Sequence, residues 1–190
     1  MRMKWLTVSL ALALAASAHA SFTVIKGVDN WNAQVGPCTT LDFVFTQGQY
    51  LSTQYASLGA IFPEGNEVAI PYPGFQQDGW GCEHYDNDNQ GGIDITFLWP
   101  QYAVGAWIVG DLYVDLYWQG QVIYESPGLY TWPLAYSFGG VVSTQPFDRV
   151  RMYSDDGFAF VDDVLFIPAP GAAALLALAG LAAWRRRRVA

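Results

Sequence analysis

The stretch Leu112-Tyr113-Val114-Asp115-Leu116-Tyr117-Trp118-Gln119-Gly120-Gln121-Val122-Ile123-Tyr124-Glu125 decides the fold class. In an extended chain successive side chains point to opposite faces. Leu112, Val114, Leu116 and Trp118 therefore share one face, with Tyr113, Asp115 and Tyr117 on the other. Gln119-Gly120 is a two-residue turn signal, and Gln121–Glu125 returns as the second strand of a hairpin. Upstream, Ile93-Asp94-Ile95-Thr96-Phe97 alternates in the same way. Further aromatic and β-branched runs lie at Thr39–Phe45, Ala60–Phe62, Glu67–Pro71, Ala103–Val109, Tyr130–Phe138, Phe147–Tyr153 and Phe158–Phe166, the last two joined by the turn Ser154-Asp155-Asp156-Gly157. Between Ser21 and Phe166 there is no amphipathic helical pattern of useful length, and no internal repeat at propeller or solenoid spacing. About nine short strands with turns every eight to twelve residues predict an all-β, two-sheet antiparallel sandwich of jelly-roll-like form.

The two ends read differently from this body. Met1-Arg2-Met3-Lys4, an apolar run from Trp5 to Ala16 and the A-x-A site Ala18-His19-Ala20 describe a secretory signal peptide over residues 1–20, cut before Ser21. At the other end Pro168-Ala169-Pro170 leads into Gly171–Trp184, which carries no charge, and then into Arg185, Arg186, Arg187 and Arg188. A helix from Pro168 to Trp184 spans roughly 26 Å, close to the hydrocarbon thickness of about 30 Å. The arginine cluster keeps its end in the cytoplasm by the positive-inside rule. The expected domains are thus the signal at 1–20, a β-sandwich ectodomain at 21–166 and a C-terminal tail with a transmembrane helix at 167–190.

That ordered tail (proline motif, short Ala/Leu helix, arginine cluster) resembles the PEP-CTERM sorting signal of Gram-negative bacteria, with Ala169 where the motif usually has Glu. The resemblance implies processing by an exosortase, a membrane cysteine protease-transpeptidase, and association with exopolysaccharide. It implies transient anchoring in the inner membrane, then delivery to the cell surface or extracellular matrix. A simple single-span C-terminal anchor is the plainer alternative. Within the body, Leu41-Asp42-Phe43 followed by Gln54-Tyr55-Ala56-Ser57-Leu58-Gly59-Ala60-Ile61-Phe62, then Val104-Gly105 and Val161-Asp162-Asp163-Val164-Leu165-Phe166, resembles the ectodomains found with such tails. Those ectodomains resemble carbohydrate-binding β-sandwiches.

Charge narrows the partners. The chain carries nine basic and 17 acidic residues, a net −8. Six of the bases lie in the two ends, so the body keeps only Lys26, Arg149 and Arg151 against all 17 acids, a formal −14. Phosphate binding needs lysine and arginine, so nucleic acid and anionic lipid are excluded as partners. Such a surface suits divalent cations. The two cysteines, Cys38 and Cys82, lie in the exported body, where a disulfide is favoured over a metal site. Two free buried thiols are the competing reading.

Several residues are candidates for chemistry. Asp162 and Asp163 are adjacent on a predicted strand, so one must face inward or sit at the rim, where a carboxylate needs a partner or a metal. By the resemblance to related sandwiches, Asp42 and Asp163 are the expected calcium ligands, completed by backbone carbonyls. Asp86 and Asp88, in the polar run Glu83–Gly92, imitate the start of an EF-hand loop. Phe97 stands where the bidentate glutamate belongs and no helices flank the run, leaving at most an irregular calcium loop or a solvated turn. Trp80, Trp107, Trp118 and Trp132 are candidate platforms for sugar rings, although aromatic residues also pack within sheets.

Enzymatic signals are thin. His84 is the one histidine left after signal removal, and no G-x-S-x-G, HExxH or phosphate loop occurs. The expectation is a non-catalytic exported protein that contacts glycan, with structural calcium. The alternative is a small secreted glycan-active hydrolase working through a carboxylate pair. A Glu and an Asp about 5–10 Å apart in an acidic cleft mark the enzyme. A flat aromatic face marks the binder.

Overall fold

The computed structural model describes residues 20–43, 49–63, 67–69, 81–85, 92–108, 112–128, 137–153 and 158–168. Among them ten strands, one short α-helix and a 3-10 turn at Ala56–Leu58 occur; the strands and α-helix are, in order, β1 (Phe22–Lys26), α1 (Val28–Gln34), β2 (Thr39–Leu41), β3 (Ala60–Ile61), β4 (Glu67–Ala69), β5 (Gly81–Tyr85), β6 (Gly92–Ile108), β7 (Tyr113–Trp118), β8 (Gln121–Glu125), β9 (Ser137–Tyr153) and β10 (Phe158–Pro168). All described pairings are antiparallel.

β6 and β9 are 17 residues each and belong to both layers of the sandwich. The N-terminal half of β6 pairs with the C-terminal half of β9, from Gly92↔Tyr153 to Thr96↔Arg149. β3 and β7 flank that pair, and β8 follows β7. The other halves pair from Ala103↔Val142 to Ile108↔Ser137, flanked by β10 and β1. Register shifts on either side of Gln101 mark the corner where both strands bend from one layer to the other. The two layers are thus one hydrogen-bonded network folded over itself.

Alternation along the strands builds the core between the layers. Ile93, Ile95, Phe97, Val114, Leu116, Val150 and Met152 from one layer meet Val104, Ala106, Ile108, Val141, Val164 and Phe166 from the other. Phe97 touches Phe166 at 5.0 Å between ring centroids. At the lateral edge Phe22 of β1 stacks on Tyr124 of β8 at 4.6 Å, closing the sandwich.

A second cluster lies on the outside of the β1–β9–β6–β10 layer. There Trp31 of α1, fully buried, packs with Ile25, Ala103 and Phe138. It seats against Gly140, where a Cβ would stand 2.4 Å from Cζ3 of the indole and 2.9 Å from the Cα of the paired Gly105. Glycine at 140 is the flat spot that lets the helix approach the sheet.

The expected antiparallel sandwich is present, with differences in its pieces. The runs Ile93–Phe97 and Ala103–Val109, expected as separate strands, are two halves of β6. β10 runs two residues past the expected domain edge, through Ile167 and Pro168. β1, β5 and α1 were not anticipated. Among the described residues no helix is long and apolar enough to cross a membrane. Residues 1–19 and 169–190, including Ala169, Pro170 and Arg185 to Arg188, lie outside them.

The expected Cys38–Cys82 bridge is not formed. β2 and β5 share one edge of β10, with Thr39 opposite Phe166 and Cys82 opposite Val161. At about 3.3 Å per residue the two cysteine backbones are roughly 15–20 Å apart, whereas a disulfide tolerates about 7 Å at most between Cα atoms. Cys38 is a free, half-buried thiol. It accepts the Trp31 Nε1–H at 3.2 Å and donates to the Gly36 carbonyl at 3.1 Å. Burial pushes this thiol's pKa up, and the indole hydrogen bond opposes the shift.

Candidate functional site

With α1 on one layer, the outer face of the other layer is where polar and aromatic side chains collect. The odd-numbered residues of β7 and β9 and the even-numbered ones of β6 point away from the core, so register alone places them in rows. One row is Gly92, Tyr153 and Tyr113. The next is Asp94, Arg151, Asp115 and Glu125. The third is Thr96, Arg149 and Tyr117. Four strands at about 4.8 Å spacing make the face about 14 Å across.

Contacts within the rows hold it in shape. Tyr113 and Tyr153 stack with centroids 5.4 Å apart and planes at 22°. Arg149 extends over the Tyr117 ring at 4.5 Å, and Arg151 over Tyr153 at 5.4 Å. Arg149 also donates from Nη2 and Nε to Asp94 Oδ1 at 2.6 and 2.8 Å. The pair is about a quarter to a third exposed, so it holds geometry more than it adds stability. Pro63, Asp94, Thr96 and Arg149 line a depression of about 330 Å³ at the β6 side of the face. At the other side the hairpin turn is tied to β9, where Gln119 N donates to Asp148 Oδ2 at 2.9 Å.

Asp115 lies at the centre of this face and is 92% buried, with Oδ1 lacking a hydrogen-bond partner. Burial, then the adjacent Glu125 charge, push its pKa above the usual carboxylate range. Arg151 and a hydrogen bond from Tyr153 pull the other way. Asp115 and Glu125 are direct cross-strand neighbours.

The expected calcium pair is brought together elsewhere, at the rim where β2 meets β10. Leu41 pairs with Val164, so Asp42 and Asp163 come next to each other as the strands run on. Phe43 and Asp163 both take positive φ, 47° and 45°, the latter inside the β10 bulge. Burial and then the Asp42 charge raise the pKa of Asp163. Tyr55 Oη accepts from Phe43 N at 2.5 Å and donates to Asp42 Oδ1 at 3.3 Å. Asp162 is turned away and buried, its Oδ1 accepting the Asp163 N–H at 2.8 Å. Among the described residues no three His, Cys, Asp or Glu side chains form a metal cluster. A cation here needs backbone oxygens beside the two carboxylates. Asp86 and Asp88 lie outside the described residues.

Of the four expected tryptophan platforms, the two within the described residues, Trp107 and Trp118, lie on different faces. Trp107 packs edge-on to Phe138 at 5.7 Å, on the α1 side. Trp118 is half-buried at the end of β7, beside the hairpin turn. Trp80 and Trp132 lie outside the described residues. Among the described residues, the aromatic rings in the rows of the open face are Tyr113, Tyr117 and Tyr153. Tyr113, Asp115 and Tyr117 were visible as the polar side of an alternating run. Their union with Arg149, Arg151 and Tyr153 depends on the β7–β9 register, which no local signal encodes.

No family model matches the chain, and no curated protein matches it. Among solved structures it is similar to two mutants of CBM29-2, determined to probe ligand recognition by family 29 carbohydrate-binding modules. One is 10% identical with a TM-score of 0.42, covering 69% of this chain and 91% of the module. The other is 10% identical with a TM-score of 0.39, covering 77% and 90%.

Proposed function

We propose that this is a non-catalytic exported protein that binds polysaccharide on the face formed by Tyr113, Tyr117, Tyr153, Arg149, Arg151, Asp94 and Asp115. The observation that carries the reading is the locked tyrosine–arginine array on an open sheet. Aromatic rings offer apolar surface to the C–H face of a sugar, and guanidinium and carboxylate groups beside them bond its hydroxyls. Arg149 is already held by Asp94 and Tyr117, so little side-chain freedom is lost on binding. The sequence of the two ends supports the setting: export by the signal peptide, transient inner-membrane anchoring, and sorting by an exosortase-type enzyme to the surface or exopolysaccharide matrix of a Gram-negative cell. Calcium between Asp42 and Asp163, relieving two like charges at the rim, is the cofactor we propose.

Affinity electrophoresis of the full chain in detergent, through gels containing polysaccharide, tests the binding. Tyr117→Ala and Arg149→Ala should each weaken retardation at least tenfold, and Lys26→Ala, on the opposite layer, should leave it intact. Equal retardation of all three variants and the parent removes this face as the site.

The pairing of Asp115, with its raised pKa, against Glu125 favours a second reading as a hydrolase with those two carboxylates as acid and nucleophile. The burial of Asp115 Oδ1 argues against it. Release of reducing ends from a retarding polysaccharide, lost in Glu125→Gln, would establish the enzyme instead.

A further inference from the structure

Resting on the glycan-binding reading, we infer that the face selects uncharged polysaccharide and rejects polymers bearing carboxylate, sulfate or phosphate groups. The body has three basic residues, and two of them, Arg149 and Arg151, are on this face. An anionic polymer would have to be bound through those two guanidiniums. Both positive charges are already countered by neighbouring carboxylates. Arg149 is committed to Asp94 through two hydrogen bonds at 2.6 and 2.8 Å. Arg151 stands between Asp94 on β6 and Asp115 on β7 in the register, and its charge already acts on Asp115. The third base, Lys26, is on β1 in the other layer.

Along the row and at its border, Asp94, Glu125 and Asp148 outnumber the two arginines even without the buried Asp115, so the field over the face is negative. The remaining acids of the body strengthen it at long range. A uronate approaching this surface meets repulsion, and it must compete with Asp94 for the charge of Arg149. Neutral hydroxyls face neither. They accept from the remaining guanidinium N–H groups and donate to carboxylate oxygens while Asp94 and Arg149 stay paired. Selectivity here is built from repulsion of the wrong ligand as much as attraction of the right one.

The test uses the full chain in detergent at about 0.1 M salt, where exposed charges more than about 10 Å apart are largely screened. Neutral polymers (a β-glucan, a mannan and a xylan) are compared with polygalacturonate and alginate in affinity gels. The expected result is binding of at least one neutral polymer at least tenfold tighter than either anionic one. Asp94→Asn, which frees Arg149, should raise retardation by polygalacturonate several-fold. Binding of polygalacturonate or alginate as tight as the best neutral polymer, lost in Tyr117→Ala, overturns the selectivity and leaves the glycan reading standing. No retardation by any of the five polymers overturns both.

Discussion

At the residue scale the rim pair Asp42–Asp163 and the seat of Trp31 make opposite demands. Asp163 has its native pKa raised by burial and by Asp42. A carboxylate whose folded pKa exceeds its unfolded value favours the native state at low pH, and that benefit is lost as pH rises through the folded pKa. At neutral pH Asp163 is therefore a liability in the metal-free protein. Asn keeps the left-handed backbone accessible and removes the charge. In EDTA, Asp163→Asn should be more stable than the parent at pH 7 by about 0.5 kcal/mol, and no more stable at pH 3. Millimolar calcium should reverse the order by stabilising only the parent. Urea titrations at both pH values check this, and a calcium response unchanged by the substitution would move the cation off this rim. Gly140 is constrained by contact rather than charge. Gly140→Ala places a methyl 2.4 Å from the Trp31 ring. Overpacking of this kind typically costs about 1–3 kcal/mol, readable as a lower urea midpoint with a rise in accessible Trp31 fluorescence.

At the element scale the β7–β8 hairpin is where local sequence and long-range structure agree. Gln119 and Gly120 have φ of 51° and 79°, a type I′ turn that matches strand twist. Glutamine is a poor residue at a left-handed position, whereas asparagine tolerates it. Gln119→Asn should raise stability by less than about 1 kcal/mol, provided the 119 N–H still reaches Asp148; a lower melting temperature would show that the turn has a different geometry. This hairpin was legible because its turn and both faces lie in 14 consecutive residues. β6 and β9 were legible only in part, since the alternation breaks at Trp99–Gln101, where the strand changes layers. α1 escaped because seven residues with one buried side chain, Trp31, leave no helical period to detect. Among the described aromatic residues, position on the pleat decides exposure: Trp107 packs against Phe138, whereas the parity of Tyr113 and Tyr117, readable in the sequence, turns them away from the core.

At the scale of the whole molecule, the way β10 ends ties folding to the proposed sorting step. β10 is bonded to β6 on one edge and to β5 and β2 on the other. Its last pairs, Ile167↔Ala103 and Pro168↔Gln101, include the first residues assigned to the tail. Phe166 is fully buried against Phe97. A cut at or beyond Pro170 spares every described contact. A cut after Val164 removes Phe166, worth about 3–5 kcal/mol by analogy with Phe→Ala in cores, together with Ile167 and the β2 pairings at Leu165 and Phe166. Against a typical total of about 5–15 kcal/mol, that loss is a large share. The chain 21–170 should therefore melt cooperatively within about 3 °C of the full chain, which is less than about 1 kcal/mol. The chain 21–164 should melt at least about 6 °C lower or show no cooperative transition. Circular dichroism melts of the two truncations decide the matter. If 21–164 melts as 21–170 does, the end of β10 is dispensable, and the fold places no limit on where the tail is cut.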